Sequence, residues 1–105
     1  MADTEGFLEG YENEAAVYHL RLFIIGASPN SIRAVENLKA ICEQYLAGRY
    51  ELEIIDIHQQ KELAEHENVV ALPLLIKRTP SPERRLIGDM SDTQKVLKGL
   101  GLINS

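Results

Sequence analysis

The chain has little cysteine, no basic residue near its start and no long apolar run. One of its 105 residues is a cysteine, Cys42. A single cysteine excludes an intrachain disulfide framework and is typical of a reducing compartment, so we expect a cytoplasmic protein. The first residues contain no basic stretch followed by an apolar segment, and a secretory signal peptide is therefore not predicted. The longest apolar run, residues 22–27, is too short to cross a membrane.

The net charge of -5 is distributed unevenly along the chain. Asp3, Glu5, Glu9, Glu12 and Glu14 all precede the first basic residue, whereas the remaining chain has 11 acidic and 11 basic residues. Without a basic excess over the body of the chain, nucleic acid is not an expected partner. Residues 1–16 are predicted to form a disordered acidic leader, with a partner-binding or autoinhibitory segment as the alternative. Residues 17–105 are predicted to form a single domain.

The first half of this domain has strong structural signals. Residues 18–25 alternate as a half-buried strand, and Ser28 and Pro29 then open a long helix. A second strand over residues 50–57 is predicted to lie parallel to the first. The apolar stripe of the helix comprises Ile32, Val35, Leu38, Ile41, Cys42, Tyr45 and Leu46.

The second half is less regular. A polar helix is predicted within residues 59–69, followed by a strand that Pro73 would confine to an edge or a bulge. Residues 84–89 contain a short strand expected to pair antiparallel with it. Ser91 and Gln94 match a capping box ahead of the last helix. The order β-α-β-α-β-β-α, with a proline before the third strand, is the α/β layout of thioredoxins.

Thioredoxin chemistry is not expected on this layout. The corner that carries Cys-x-x-Cys in redox proteins reads Ser28-Pro29-Asn30-Ser31 here. A serine hydroxyl is not ionised at neutral pH without a neighbouring base, so Ser28 is expected to cap the helix instead. Cys42 is expected to pack as a small apolar side chain.

The sequence predicts no metal site, no cofactor and no catalytic constellation. His19, His58 and His66 share no metal-ligand spacing. A binding module is therefore favoured over an enzyme. One hairpin carries four cations that would either meet an acidic partner or form a solvated tip, namely Lys77, Arg78, Arg84 and Arg85.

Several segments together resemble one family, the circadian clock protein KaiB. They are "GASPNSIRAVENL", "LAEHENVVALPLL" and "RRLIGDMSDTQKVLKGLGL", and the resemblance extends over roughly residues 18–102. It implies a metamorphic protein whose N-terminal half is constant and whose C-terminal half adopts either of two arrangements. One belongs to a homo-oligomer, a tetramer or dimer. The other is a thioredoxin-like monomer that docks on the hexameric ATPase KaiC and offers an edge strand to KaiA or a sensor histidine kinase.

The resemblance also implies which residues bind partners and which affect the choice of fold. Arg33, Arg84 and Arg85 match the family and are candidate partner contacts. Glu51 and Glu53 stand on the docking strand where the family presents a small residue and a lysine, and this difference leaves open a stress or signalling adaptor with another partner. The fold-switch candidates are Pro73, Pro80, Pro82, Gly88, Asp89, Gly99 and Gly101, the last standing where the family commonly has aspartate.

Overall fold

The structure, a computed structural model, describes residues 16–104, and the predicted acidic leader lies outside them except for its last residue. The predicted order of elements is confirmed. The elements are β1 (Tyr18–Ile24), α1 (Pro29–Tyr45), β2 (Tyr50–Asp56), α2 (Lys61–His66), β3 (Leu74–Thr79), β4 (Arg84–Ile87) and α3 (Thr93–Leu100).

The four strands form one mixed sheet in the order β2-β1-β3-β4. β1 pairs parallel with β2 and antiparallel with β3, and β3 pairs antiparallel with β4. The prediction that Pro73 confines the third strand to an edge was wrong, and the register shift in the β1–β3 pairing, between His19 and Leu20, lies at the end of β3 away from Pro73. Pro73 precedes the first residue of β3, so its missing N–H interrupts no ladder and β3 occupies the interior of the sheet.

Side-chain alternation along the strands divides the core between the two faces of the sheet. On one face, Leu20, Leu22 and Leu75 pack with the buried side chains of α1 and α3. On the other, Phe23 and Ile76 pack with Leu63 and Ala64 of α2. The sheet is thus covered by two helices on one side and by one short helix on the other.

Two local predictions about the helices need correction. Ile32 and Tyr45 are 47% and 39% exposed, and Ser31 and Ala34 take the buried positions in the first turns of α1 in place of Ile32. The cap of α3 is Asp92 rather than Ser91: its carboxylate accepts the N–H of Lys95. Within residues 16–104 no helix has the length and apolar character needed to cross a membrane.

Candidate functional site

The serine corner has a structural role in this fold. The Oγ atom of Ser28 accepts the N–H of Ser31 at 3.3 Å, as an N-cap does. The buried Ser31 hydroxyl in turn donates to the carbonyl of Ile25 at 3.3 Å and accepts its N–H at 3.1 Å. Both hydroxyls are therefore occupied in joining β1 to α1, at the position where thioredoxins carry reactive thiols.

Cys42 is buried in the core cluster between α1 and the sheet, as predicted. Burial raises the pKa of its thiol, with a smaller contribution from the nearby charge of Glu43, to about 12. Because the thiolate is the reactive form, this cysteine is held in its inert state. In the described part of the chain, no group of three or more His, Cys, Asp or Glu side chains is placed to hold a metal ion.

Arg84 and Arg85 are neighbours in the chain but leave β4 on opposite faces of the sheet. Arg85 faces α2, where its guanidinium lies 3.7 Å from Glu67. Arg84 faces α3 and lines a groove of about 450 Å³ together with Asp92, Lys95 and Lys98. We call this the Arg84 groove. The two arginines therefore do not form one binding surface, and of the two it is Arg84 that lies beside α3.

A buried carboxylate organises the α2 face of the sheet. Glu67, at the end of α2, has 8% of its side chain exposed, and its Oε2 lies 3.1 Å from Nη1 of Arg21. Arg78 contacts the same oxygen, and Arg85 contacts the other one. These contacts connect β1, β3 and β4 through a single side chain.

Two outer carboxylates complete this cluster, which we call the Glu67 network. Glu53 accepts from Nε of Arg21 at 2.9 Å, and Glu83 accepts from Nη1 of Arg78 at 3.1 Å. Sequence reasoning missed Glu67, because nothing in "AEHEN" distinguishes one acid from the next. The role of Glu67 is visible only in the tertiary structure, where three arginines from three strands converge at the end of the short helix.

The outer edge of β2 carries the two predicted partner-binding carboxylates. Glu51 lies opposite His19 and Glu53 opposite Arg21 in the β1–β2 register. Oε2 of Glu51 is 2.9 Å from Nδ1 of His19. Both carboxylates thus have a partner on β1, and Glu51 is slightly the more exposed of the two.

Arg33 joins the two halves of the domain. Its Nε donates to Oδ2 of Asp89 at 3.2 Å, and it also contacts Asn30. Asn37 donates to the backbone carbonyl of Asp89 at 2.9 Å. Hydrogen bonds from Ser91, and then the guanidinium of Arg33, hold the pKa of Asp89 below its usual value. This contact anchors the β4–α3 loop on α1.

The remaining fold-switch candidates lie around β3, β4 and α3. The peptide bonds before Pro73, Pro80 and Pro82 are cis. Gly88, after β4, has φ +130° and donates its N–H to the Pro73 carbonyl at 3.0 Å. Gly99 lies against Leu86, whose side chain an added Cβ would overlap, and Gly101 caps α3 with φ +77°.

Known proteins resemble this chain in sequence and in fold. The model of the KaiB domain family matches residues 21–102. A circadian clock oscillator protein KaiB from Gloeothece citriformis is 46% identical over 86 residues, which cover 82% of this chain and 81% of that protein. The corresponding protein of Prochlorococcus marinus is 48% identical, with coverage of 82% and 80%.

Solved structures give the fold comparison and complete the assignment. The N-terminal domain of Synechococcus elongatus SasA matches with TM-score 0.66 and 25% identity, covering 87% of this chain and 90% of that one. The thioredoxin Deadhead from Drosophila melanogaster matches with TM-score 0.67 at 14% identity, covering 93% and 91%, which shows a shared fold. With the domain model covering most of the chain and relatives near half identical, this thioredoxin-like protein belongs to the KaiB family.

Proposed function

We propose that this chain is a non-enzymatic regulator that docks on a KaiC-type hexameric ATPase and modulates its phosphorylation cycle in circadian timing. Membership of the KaiB family carries the proposal, since the relatives are named as circadian clock oscillator proteins. The thioredoxin-like arrangement of the C-terminal half supports it, because this is the arrangement that the family resemblance associates with docking. The other arrangement would belong to a homotetramer or dimer in the cytoplasm.

Arg84 is the side chain that best fits an acidic docking surface on the ATPase. It is exposed, and within residues 16–104 it takes part in no ion pair. Arg85 and Arg33 already have carboxylate partners, Glu67 and Asp89. A partner would have to displace those internal contacts, whereas within residues 16–104 no ion pair of Arg84 would have to break. Rim charges of this kind mainly set association rate and specificity.

The absence of redox activity is part of the same proposal. Ser28 and Ser31 are hydrogen-bonded in the helix cap, and Cys42 is buried with a pKa of about 12. None of these three side chains supplies an accessible thiolate for disulfide exchange. We therefore propose a binding role and no disulfide exchange for this protein.

Within residues 16–104 the outer edge of β2 pairs with no other strand, which supports a second contact, with KaiA or a clock histidine kinase. An edge strand offers unpaired backbone groups to a further strand. Here Glu51 gives that edge a negative charge, and Glu53 is balanced by Arg21. A partner surface that suits the family's lysine would meet Glu53 at that position and Glu51 two residues before it, and would be repelled by both carboxylates. This observation favours the second candidate function, an adaptor on the same scaffold with a different protein partner.

Gel filtration with light scattering, on the protein alone and mixed with the KaiC-type ATPase of the same organism and ATP, tests the proposal. We expect a complex to form slowly with wild-type protein and to weaken in Arg84→Glu. Lys61→Glu, an exposed charge reversal on α2, is the matched control and should bind as wild type. A folded protein that never joins the ATPase would reject KaiC docking and favour the adaptor function.

A further inference from the structure

Two cations face each other across the β3–β4 ladder with no anionic partner among residues 16–104. Lys77 and Arg84 are register partners on the α3 side of the sheet. Lys77 is 3% exposed, and burial together with the charge of Arg84 lowers its pKa. The described ion pairs include Arg21, Arg33, Arg78 and Arg85 but neither of these two residues. A buried cation beside a second cation is costly unless an anion approaches it.

The Arg84 groove extends this positive charge along α3. Lys95 and Lys98 line the groove and are exposed, and they take part in no ion pair within the described chain. The lining includes one carboxylate, Asp92, which is already used to cap α3 through the N–H of Lys95. The groove is thus a concave, cationic surface suited to several carboxylates.

The anions that would balance this groove are present in the same chain. Five carboxylates and no basic side chain lie in residues 1–15, whereas the body of the chain has equal numbers of each sign. These five therefore account for the whole net charge of -5. Elsewhere in the sequence, no stretch of this length contains five acidic residues and no basic one.

The acidic residues join the body beside the groove. The carbonyl of Val17 accepts from Oγ1 of Thr79 at 3.4 Å, and Leu20 lies opposite Lys77 in the β1–β3 register. The chain therefore enters the domain at the end of β3 that leads to the β3–β4 hairpin. Fifteen residues extend to at most about 50 Å, which is ample to reach Lys98 on the neighbouring helix.

We propose that residues 1–15 dock in the Arg84 groove of their own chain and supply its missing counterions. The contact is intramolecular, so its effective concentration is set by the short connection through Val17. It is electrostatic and is weakened by salt. A consequence that rests on the proposed function is that the segment covers Arg84 and competes with an acidic partner for it.

Zero-length cross-linking of the full chain with a water-soluble carbodiimide tests this contact without any partner protein. The reagent activates a carboxylate, and a lysine amine displaces the activated group to give an amide and a urea. We expect peptides linking residues 1–15 to Lys95 or Lys98 in the monomer fraction. They should exceed links to Lys39 and Lys61, exposed lysines on α1 and α2, by about tenfold at low salt.

Three outcomes would overturn the proposal. Equal linking to all four lysines would mean that the segment meets the surface without preference. Links found only between two copies would place the segment in an intermolecular contact. A pattern unchanged by high salt would exclude an electrostatic groove.

A second measurement addresses the groove itself. Replacing the five acids by Asn and Gln in the full chain should move the amide NMR signals of Lys98, Gly99 and Arg84 and leave those of α1 unchanged. If the proposed competition is also correct, this variant binds the KaiC-type ATPase more tightly than wild type. If the cross-links form but the variant binds the ATPase no more tightly, the docking of residues 1–15 stands and its competition with the partner is rejected. Failure of the docking can therefore be told apart from failure of the competition.

Discussion

Arg21 and Glu67 join the two halves of the domain, with Nη1 of the arginine 3.1 Å from Oε2 of the glutamate. Arg21 belongs to β1, and Glu67 follows the short helix α2. Arg78 and Arg85 reach the same carboxylate from β3 and β4. One buried carboxylate therefore links β1 to both C-terminal strands, in addition to the backbone pairing of the sheet.

Glu67→Gln should destabilise this arrangement. The amide keeps the shape but removes the charge that balances three arginines, and leaving a buried ion pair without one partner costs about 3–5 kcal/mol. Because the arginine side chains are 28–37% exposed, we expect a smaller loss of about 2 kcal/mol in the free energy of unfolding. Urea unfolding measures it. Glu65→Gln, an exposed acid on α2, is the control, and an equal effect in both variants would contradict a special role for Glu67.

Asp89 should contribute to the acid sensitivity of the fold. Its pKa is lowered in the folded state by Ser91 and Arg33. Between the folded and unfolded pKa values the unfolded chain binds more protons, so stability rises with pH there. The contribution is complete above the ordinary carboxyl pKa of about 4 and is lost as pH falls through the folded value.

The comparison of wild type with Asp89→Asn tests this pH dependence. Asparagine still accepts from Ser91 but cannot carry the charge. Below the ordinary carboxyl pKa, the free energy of unfolding should therefore decrease less steeply with falling pH in the variant than in wild type. Glu36→Gln, which removes an exposed carboxylate from α1, should retain the wild-type slope. Identical slopes for wild type and Asp89→Asn would show that Asp89 does not titrate abnormally.

The native thiol should be almost unreactive. At a pKa of about 12, against an ordinary value of 9.0, the thiolate fraction of Cys42 at mildly alkaline pH falls about a thousandfold. Ellman's reagent should therefore label the folded protein far more slowly than the urea-unfolded chain, which should release one equivalent. In the same preparation, insulin reduction should be absent. Turnover that disappears in Cys42→Ser would contradict the assignment to binding alone.

The sequence predicts the architecture well because the relevant signals are local. The stripe on α1, the glycines and the alternating strands give the order of elements without knowledge of the fold. Three local predictions were wrong, because each depends on tertiary packing or on a choice between neighbouring residues. Pro73 falls just outside β3, Asp92 competes with Ser91 for the cap of α3, and Ile32 lies at the margin of the core.

The candidate site was less predictable than the architecture. The arginines could be named from the family resemblance, but their partners could not. Strand alternation separates Arg84 from Arg85, and Glu67 holds only the second. Side chains that are distant in sequence decide which arginine has an internal carboxylate partner. A local motif does not contain that information.

Replacing Gly101 by a residue with a Cβ should destabilise the fold, and less so where the new residue tolerates a left-handed backbone. It ends α3 with φ +77°, and its N–H donates to the Lys98 carbonyl at 3.0 Å. An added Cβ would lie 4.0 Å from Nζ of Lys77, an ordinary contact, so any cost is conformational and not steric. Gly101→Ala should lower the free energy of unfolding by about 1 kcal/mol. Gly101→Asn should lower it less, because asparagine adopts this conformation more readily. Urea unfolding of the three proteins gives the order. Equal stabilities would mean that α3 does not end on a left-handed residue in solution.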